Sequence, residues 1–246
     1  MGMAILQNEL AATPWETPAG RRLPGLQPMD FADWLRVDEA YAGQMAQRDR
    51  LIRSCPEAVH ALTPQAQDAA DELYSMALTH LPSCPGFRVG ADEVLRPDGV
   101  TVTLDRARPL MTLGRLVAED LCLMQKPGNE HVLTGAILCF PSHWTLSEKI
   151  GHPMTRIHQP VEGYDDQVAR RVQRIFDNLR VDQPVWRGNL MRVAKADLFS
   201  PRRETDAPYH CDDTAPFLRS ERQSLMRLPK TKAIVFTIHT SIIRRP

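Results

Sequence analysis

No two of the five cysteines in this 246-residue chain (Cys55, Cys84, Cys122, Cys139 and Cys211) form a C-x-x-C pair. That spacing underlies conventional zinc and iron–sulfur cradles and covalent heme attachment, so all three are excluded. No G-x-G-x-x-G loop follows a strand and no Walker-type phosphate loop occurs, so no NAD(P) or flavin site is visible. Charge of one sign is not in excess, since 30 Lys plus Arg balance 30 Asp plus Glu. A neutral chain lacks the basic face that broad nucleic-acid binding needs. No segment approaches the ~18 consecutive apolar residues of a membrane span. The opening, MGMAILQNELAATPWETP, has no basic start followed by an apolar run. These absences predict a reduced, cytoplasmic protein. Its 43% hydrophobic and 24% charged residues are ordinary for a globular one.

What is present falls into three parts. Residues 1–28, rich in Pro, Gly, Thr and Ala, read as an extended arm with Trp15 as its one large anchor. Residues 29–108 read as a helical flank and a loop. EAYAGQMAQRDRLIRS places Tyr41, Met45 and Ile52 on one helical face and stops before Cys55-Pro56. Thr63-Pro64 opens a second helix, whose face runs through Ala66, Ala70, Leu73, Ala77 and Leu81. Neither helix clusters residues of a catalytic type, so both are assigned to packing.

Residues 109–246 carry the chemistry. Asp120–Gln125 and His131–Phe140 read as a hairpin whose second arm is almost wholly apolar and therefore covered on both sides. WTLSEKIG reads as a short helix ending at Gly151. His152 and His158 follow in a loop stiffened by Pro153 and Pro160. QVARRVQRIFDNLR, capped by Asp165 or Asp166, is strongly amphipathic: Val168, Val172, Ile175 and Leu179 on one side, Arg170, Arg171 and Arg174 on the other. VWRGNLMRV alternates as a strand, a long charged loop follows, and FLRSERQSLMRL and AIVFTIHTSII close the chain as two more strands. The predicted fold is α+β: an antiparallel sheet with helices on one face, preceded by the helical flank. This is also the strand–helix–strand order of a PAS-type domain, which holds ligands between helix and sheet.

The stretch from Leu133 to Thr240 carries His143, His158, Arg222 and His239 between or at the ends of apolar runs. Histidine ligates iron and arginine meets carboxylates, which together suit heme. His158 is the best-placed iron ligand, between Ile157 and a proline-stiffened turn just before the amphipathic helix; a solvated loop histidine is the bland reading. His239 shares a strand face with Val235, Thr237 and Ser241, and is either a pocket residue or a satisfied core histidine. Arg219 and Arg222 are candidates for the heme propionates, with Arg219, Glu221 and Gln223 on one strand face and Arg222 on the other. A buried Glu221 suits a small cationic amine; a surface ladder of charge pairs is the competing reading. From Phe217 to Pro246 seven Arg or Lys face the single acid Glu221, which fits an anionic ligand, an acidic partner or a solvated basic edge.

FPSHWTLSEKIG, IHQPVEGY, RRVQRIFDNL, PVWRGNL, LRSERQSLMRLP and VFTIHT, taken in order with the earlier DWLRVDEAYAGQMAQRDRLI, resemble the alpha subunit of heme-dependent oxidative N-demethylase, a dimethylamine monooxygenase-like family. The resemblance spans roughly residues 25–241. It implies a PAS-like fold, noncovalent heme b and O2 as co-substrate. It also implies removal of a methyl group from a small secondary amine as formaldehyde, with electrons from a separate NAD(P)H-dependent reductase. It strengthens His158 as metal ligand, with His239, Arg219, Arg222 and His143 around the cofactor and Glu221 and Arg222 as the catalytic pair. His143 stands where the family usually has Arg, and Gly188-Asn189-Leu190 where it usually has Val-Asn-Trp. The second reading is a heme-binding sensor or degenerate paralogue without turnover. The third is a structural domain without heme.

Overall fold

The computed structural model describes residues 4–10, 13–16, 25–159 and 166–245. In chain order the named strands and helices are β1 (Gln27–Pro28), α1 (Tyr41–Ser54), α2 (Pro56–Val59), β2 (His60–Leu62), α3 (Gln67–His80), β3 (Arg88–Val89), β4 (Glu93–Leu95), β5 (Thr101–Thr103), α4 (Pro109–Gly114), β6 (Asp120–Gln125), β7 (Val132–Ile137), α5 (Met154–His158), α6 (Asp166–Asn178), β8 (Val185–Val193), β9 (Phe217–Arg227) and β10 (Ile234–Arg244). Seven strands form one antiparallel sheet in the order β1-β8-β9-β10-β6-β7-β2, and β3-β4-β5 form a small second one. The α+β class with an antiparallel sheet is therefore as expected.

Both outer strands of the large sheet come from segments ahead of residue 109: β1 pairs with β8, and β2 with β7. At two and three residues, these edge strands carry no readable alternation. The flank helices cover one face of the sheet. Tyr41, Met45 and Ile52 of α1 and Leu73 and Ala77 of α3 are buried there against Leu121, Leu123 and Val235. Gly114 at the end of α4 is obligatory, because a Cβ on it would lie 2.4 Å from Ile137 Cγ1. Arg48 ties this layer to the sheet: its Nη1 donates to Asp120 Oδ1 at 2.7 Å, and Asp120 also accepts from the Cys139 and Phe140 amides. A buried pair of this kind depends on such extra hydrogen bonds to offset desolvation.

The other face is covered by α5 and α6. Phe176 and Leu179 pack on Leu225, Ile234 and Ile238 in a second apolar cluster. Arg227 anchors the end of α6 by donating to the Phe176 and Leu179 carbonyls, each at 2.6 Å, where the helix exposes unpaired acceptors. Arg170, Arg171 and Arg174 are exposed, as the periodicity predicts. The cap assigned to Asp165 lies outside the described residues, as does Pro160. WTLSEKIG forms only a 3-10 turn, Leu146–Glu148, while the segment read as a loop with His158 is the short helix α5.

Candidate functional site

Strand register divides the predicted site residues between the two faces of the sheet. Arg187, Asn189 and Met191 of β8 pair with Gln223, Glu221 and Arg219 of β9, and these six share the face toward α5 and α6. Arg222 pairs with Gly188 on one side and His239 on the other, on the face toward the flank. His158 belongs to the α5 side. His158, Arg219 and Glu221 therefore do not line one pouch with Arg222 and His239.

On the α6 side burial is deeper at one end of the helix than at the other. Phe176 and Leu179 are buried, but Val168, Val172 and Ile175 of the same apolar stripe are only half-buried. Across from them, Arg187, Asn189, Met191, Gln223 and Phe236 are half-buried too, as are Trp144, Ile157 and His158. These half-buried side chains are apolar on the helix side and mostly polar on the sheet side. Two surface hollows lie elsewhere: one of about 710 Å³ beside Phe31, His80 and Lys230, one of about 410 Å³ beside His131, Arg227 and Lys232.

His158 Nδ1 lies 2.9 Å from the Met154 carbonyl oxygen. A carbonyl only accepts, so Nδ1 carries the proton and the neutral ring's lone pair sits on Nε2. Burial lowers its pKa, with Lys149 acting in the same direction and the Met154 bond opposing. That is the protonation state a metal-ligating histidine needs, with its second nitrogen oriented by a backbone acceptor.

His143 has a φ of 61° and stacks on Tyr209 with ring centroids 3.8 Å apart. Its Nε2 is buried without a hydrogen-bond partner among the described residues. Burial, then the nearby Arg219 and Arg202, depress its pKa.

Arg219 is consumed by structure. Its Nη1 donates to the Leu198 carbonyl at 3.1 Å, its Nη2 to the Phe140 carbonyl at 2.6 Å, and its Nε faces Glu221 Oε1 at 3.5 Å. Glu221 is 7% exposed and its Oε2 accepts from Gln223 Nε2 at 3.0 Å. The pair is therefore interior, not a surface ladder. Arg187, which the alternation of VWRGNLMRV places but does not single out, is the guanidinium left over. Its Nε is buried and unsatisfied, and burial lowers its pKa against a weaker pull from Glu221.

On the opposite face His239 is 1% exposed, with Nδ1 3.1 Å from Glu119 Oε1 and Nε2 3.1 Å from Asp38 Oδ2. Burial opposes its charge, but the two carboxylates push its pKa up to about 9. A protonated ring with both nitrogens engaged has no lone pair to offer iron. Arg222 lies over the Trp186 ring, 5.2 Å from its centroid, and burial with repulsion from Arg36 brings its pKa down to about 10.

The run of basic residues near the chain end is dispersed by the fold: Arg219 and Arg222 are buried, Arg227 holds α6, and Lys232 Nζ donates to the Pro229 carbonyl. Among the described residues no group of three or more His, Cys, Asp or Glu could hold a metal, and no helix is long and apolar enough to cross a membrane.

A family model described as Haem-dependent oxidative N-demethylase, alpha subunit-like, matches residues 25–244. The chain belongs to this family. Because a porphyrin supplies most of the iron's ligands, a heme-dependent family does not require a cluster of metal-ligating side chains. The match begins just ahead of β1 and ends with β10, so the N-demethylase-like unit includes the flank and every strand of the large sheet.

Proposed function

We propose that the protein binds heme b noncovalently in a cleft on the α6 side of the sheet, between the half-buried residues of helix and strands, and that it acts as an O2-dependent N-demethylase of a small secondary amine. The observation that carries the reading is His158: a neutral imidazole, Nδ1–H held by Met154, on the helix that borders the cleft. The donor set fits the group. His158 would ligate iron through Nε2, the half-buried apolar stripe of α6 would lie against the macrocycle, and on the sheet side stands the half-buried Arg187, whose buried Nε has no hydrogen-bond partner among the described residues. A PAS-like arrangement is supported by the strand order, in which the hairpin β6-β7 and the meander β8-β9-β10 join through β6 and β10 with α5 and α6 between them in sequence.

Heme, when bound, supplies the oxidation; one O2, two electrons and two protons convert a dimethylated amine to the monomethylated amine, formaldehyde and water. The protein's own contribution is placement. Glu221, buried and hydrogen-bonded to Gln223, supplies negative charge for a cationic amine, and Asn189 beside it in register offers a polar side chain. The electrons are assigned to a separate NAD(P)H-dependent reductase subunit, in keeping with the alpha-subunit description of the family.

The test is formaldehyde release from dimethylamine by heme-loaded protein with a chemical reductant and O2. Turnover that disappears in Glu221→Gln with heme content unchanged supports the reading. Heme-loaded protein that binds O2 yet releases no formaldehyde from any small methylamine leaves a heme-binding, non-catalytic protein.

A further inference from the structure

We infer that Arg187 is the anchor for a carboxylate of the ligand in the α6-side cleft, namely a heme propionate. The inference rests on the heme reading above. Two arginines reach this side from the middle of the sheet, Arg187 on β8 and Arg219 on β9. Arg219 is the natural choice from sequence, but both of its Nη groups are spent on the Leu198 and Phe140 carbonyls, and only its Nε, 3.5 Å from Glu221, is without a hydrogen bond among the described residues. A propionate would have to displace buried backbone bonds to reach it, at a cost of about 1–3 kcal/mol for each group left unpaired.

Arg187 presents the opposite case. Its guanidinium has no hydrogen-bond partner among the described residues, and its Nε is buried. The one carboxylate that it feels, Glu221, is already held by Gln223 and Arg219. A buried N–H without a partner is costly, and a half-buried guanidinium fork matches a carboxylate in two parallel hydrogen bonds. In register Arg187 faces Gln223, one step beyond the Asn189–Glu221 pair. The cleft wall therefore carries a cationic place at Arg187 next to an anionic one at Glu221. An acidic cofactor edge and a cationic substrate would thus occupy neighbouring positions without exchanging places.

The experiment compares hemin with hemin dimethyl ester, whose propionates are neutral. Each is titrated into wild type, Arg187→Met, Arg187→Lys and Arg219→Met, with the Soret band as readout and circular dichroism as the check on folding. Wild type is expected to prefer hemin at least tenfold. Arg187→Met should bind both forms with nearly equal affinity, and Arg187→Lys should keep part of the preference, because lysine retains the charge but not the fork. The inference is overturned if Arg187→Met or Arg187→Lys discriminates as well as wild type, or if the preference is lost in Arg219→Met instead. If wild type binds neither form, the heme reading itself fails. If it binds both equally, heme is held without a propionate anchor and only the assignment of Arg187 falls.

Discussion

Gly188 lies directly under Pro14: a Cβ on the glycine would come 2.4 Å from Pro14 Cγ and 3.0 Å from Trp15 Cζ3. The contact clamps the N-terminal segment to β8 beside Arg222, and it exists because residue 188 carries no Cβ. The expected outcome of Gly188→Val is expulsion of Pro14 and Trp15 and a loss of about 1–3 kcal/mol, the usual cost of overpacking. Urea denaturation measures the loss, and faster proteolytic cleavage near residue 14 locates it. Wild-type stability in Gly188→Val would mean that the contact holds nothing.

His239 links three distant segments, since Asp38 precedes α1, Glu119 precedes β6 and the histidine sits on β10. Its folded pKa of about 9 exceeds the unfolded value of ~6.5, so protonation favours the folded state. The contribution is fully present below pH ~6.5 and is lost as pH rises to about 9, on the order of 3 kcal/mol in all. The urea midpoint should therefore fall across this range in wild type. In His239→Gln the fall should be smaller; equal slopes would show that the ring is not charged in the folded protein.

Arg219 and Arg187 should separate stability from binding. Arg219→Leu leaves the Phe140 and Leu198 carbonyls and Glu221 without their donor, which is expected to cost about 3 kcal/mol. Arg187→Met removes a guanidinium with no hydrogen-bond partner among the described residues, and should change the urea midpoint little or raise it. Equal destabilisation by both would place Arg187 among the structural residues.

Much of the fold was legible where periodicity runs long. The faces of α1, α3 and α6 and the alternation of β8 and β9 follow from residue spacing alone. The short elements were not legible: β1 and β2 are too brief to show a pattern, and α5 is one turn of helix that begins after Pro153. Within the site, alternation separated Arg222 from Arg219 and Glu221, but which face borders the cleft depends on where α6 packs. The partners of His239 lie 201 and 120 residues away, so no local signal marks it as a buried cation. Arg187 was hidden for a related reason. Its alternation was visible, but its lack of a partner emerges only when the register of β8 against β9 is known.

The central claim is that His158 is the iron ligand, and the visible spectrum of heme-loaded wild type beside His158→Ala tests it most directly. The prediction is a Soret band at stoichiometric heme in wild type. In His158→Ala that band should weaken sharply or shift, and added imidazole should restore it. An identical Soret band and heme content in the two proteins, with imidazole without effect, would contradict the account.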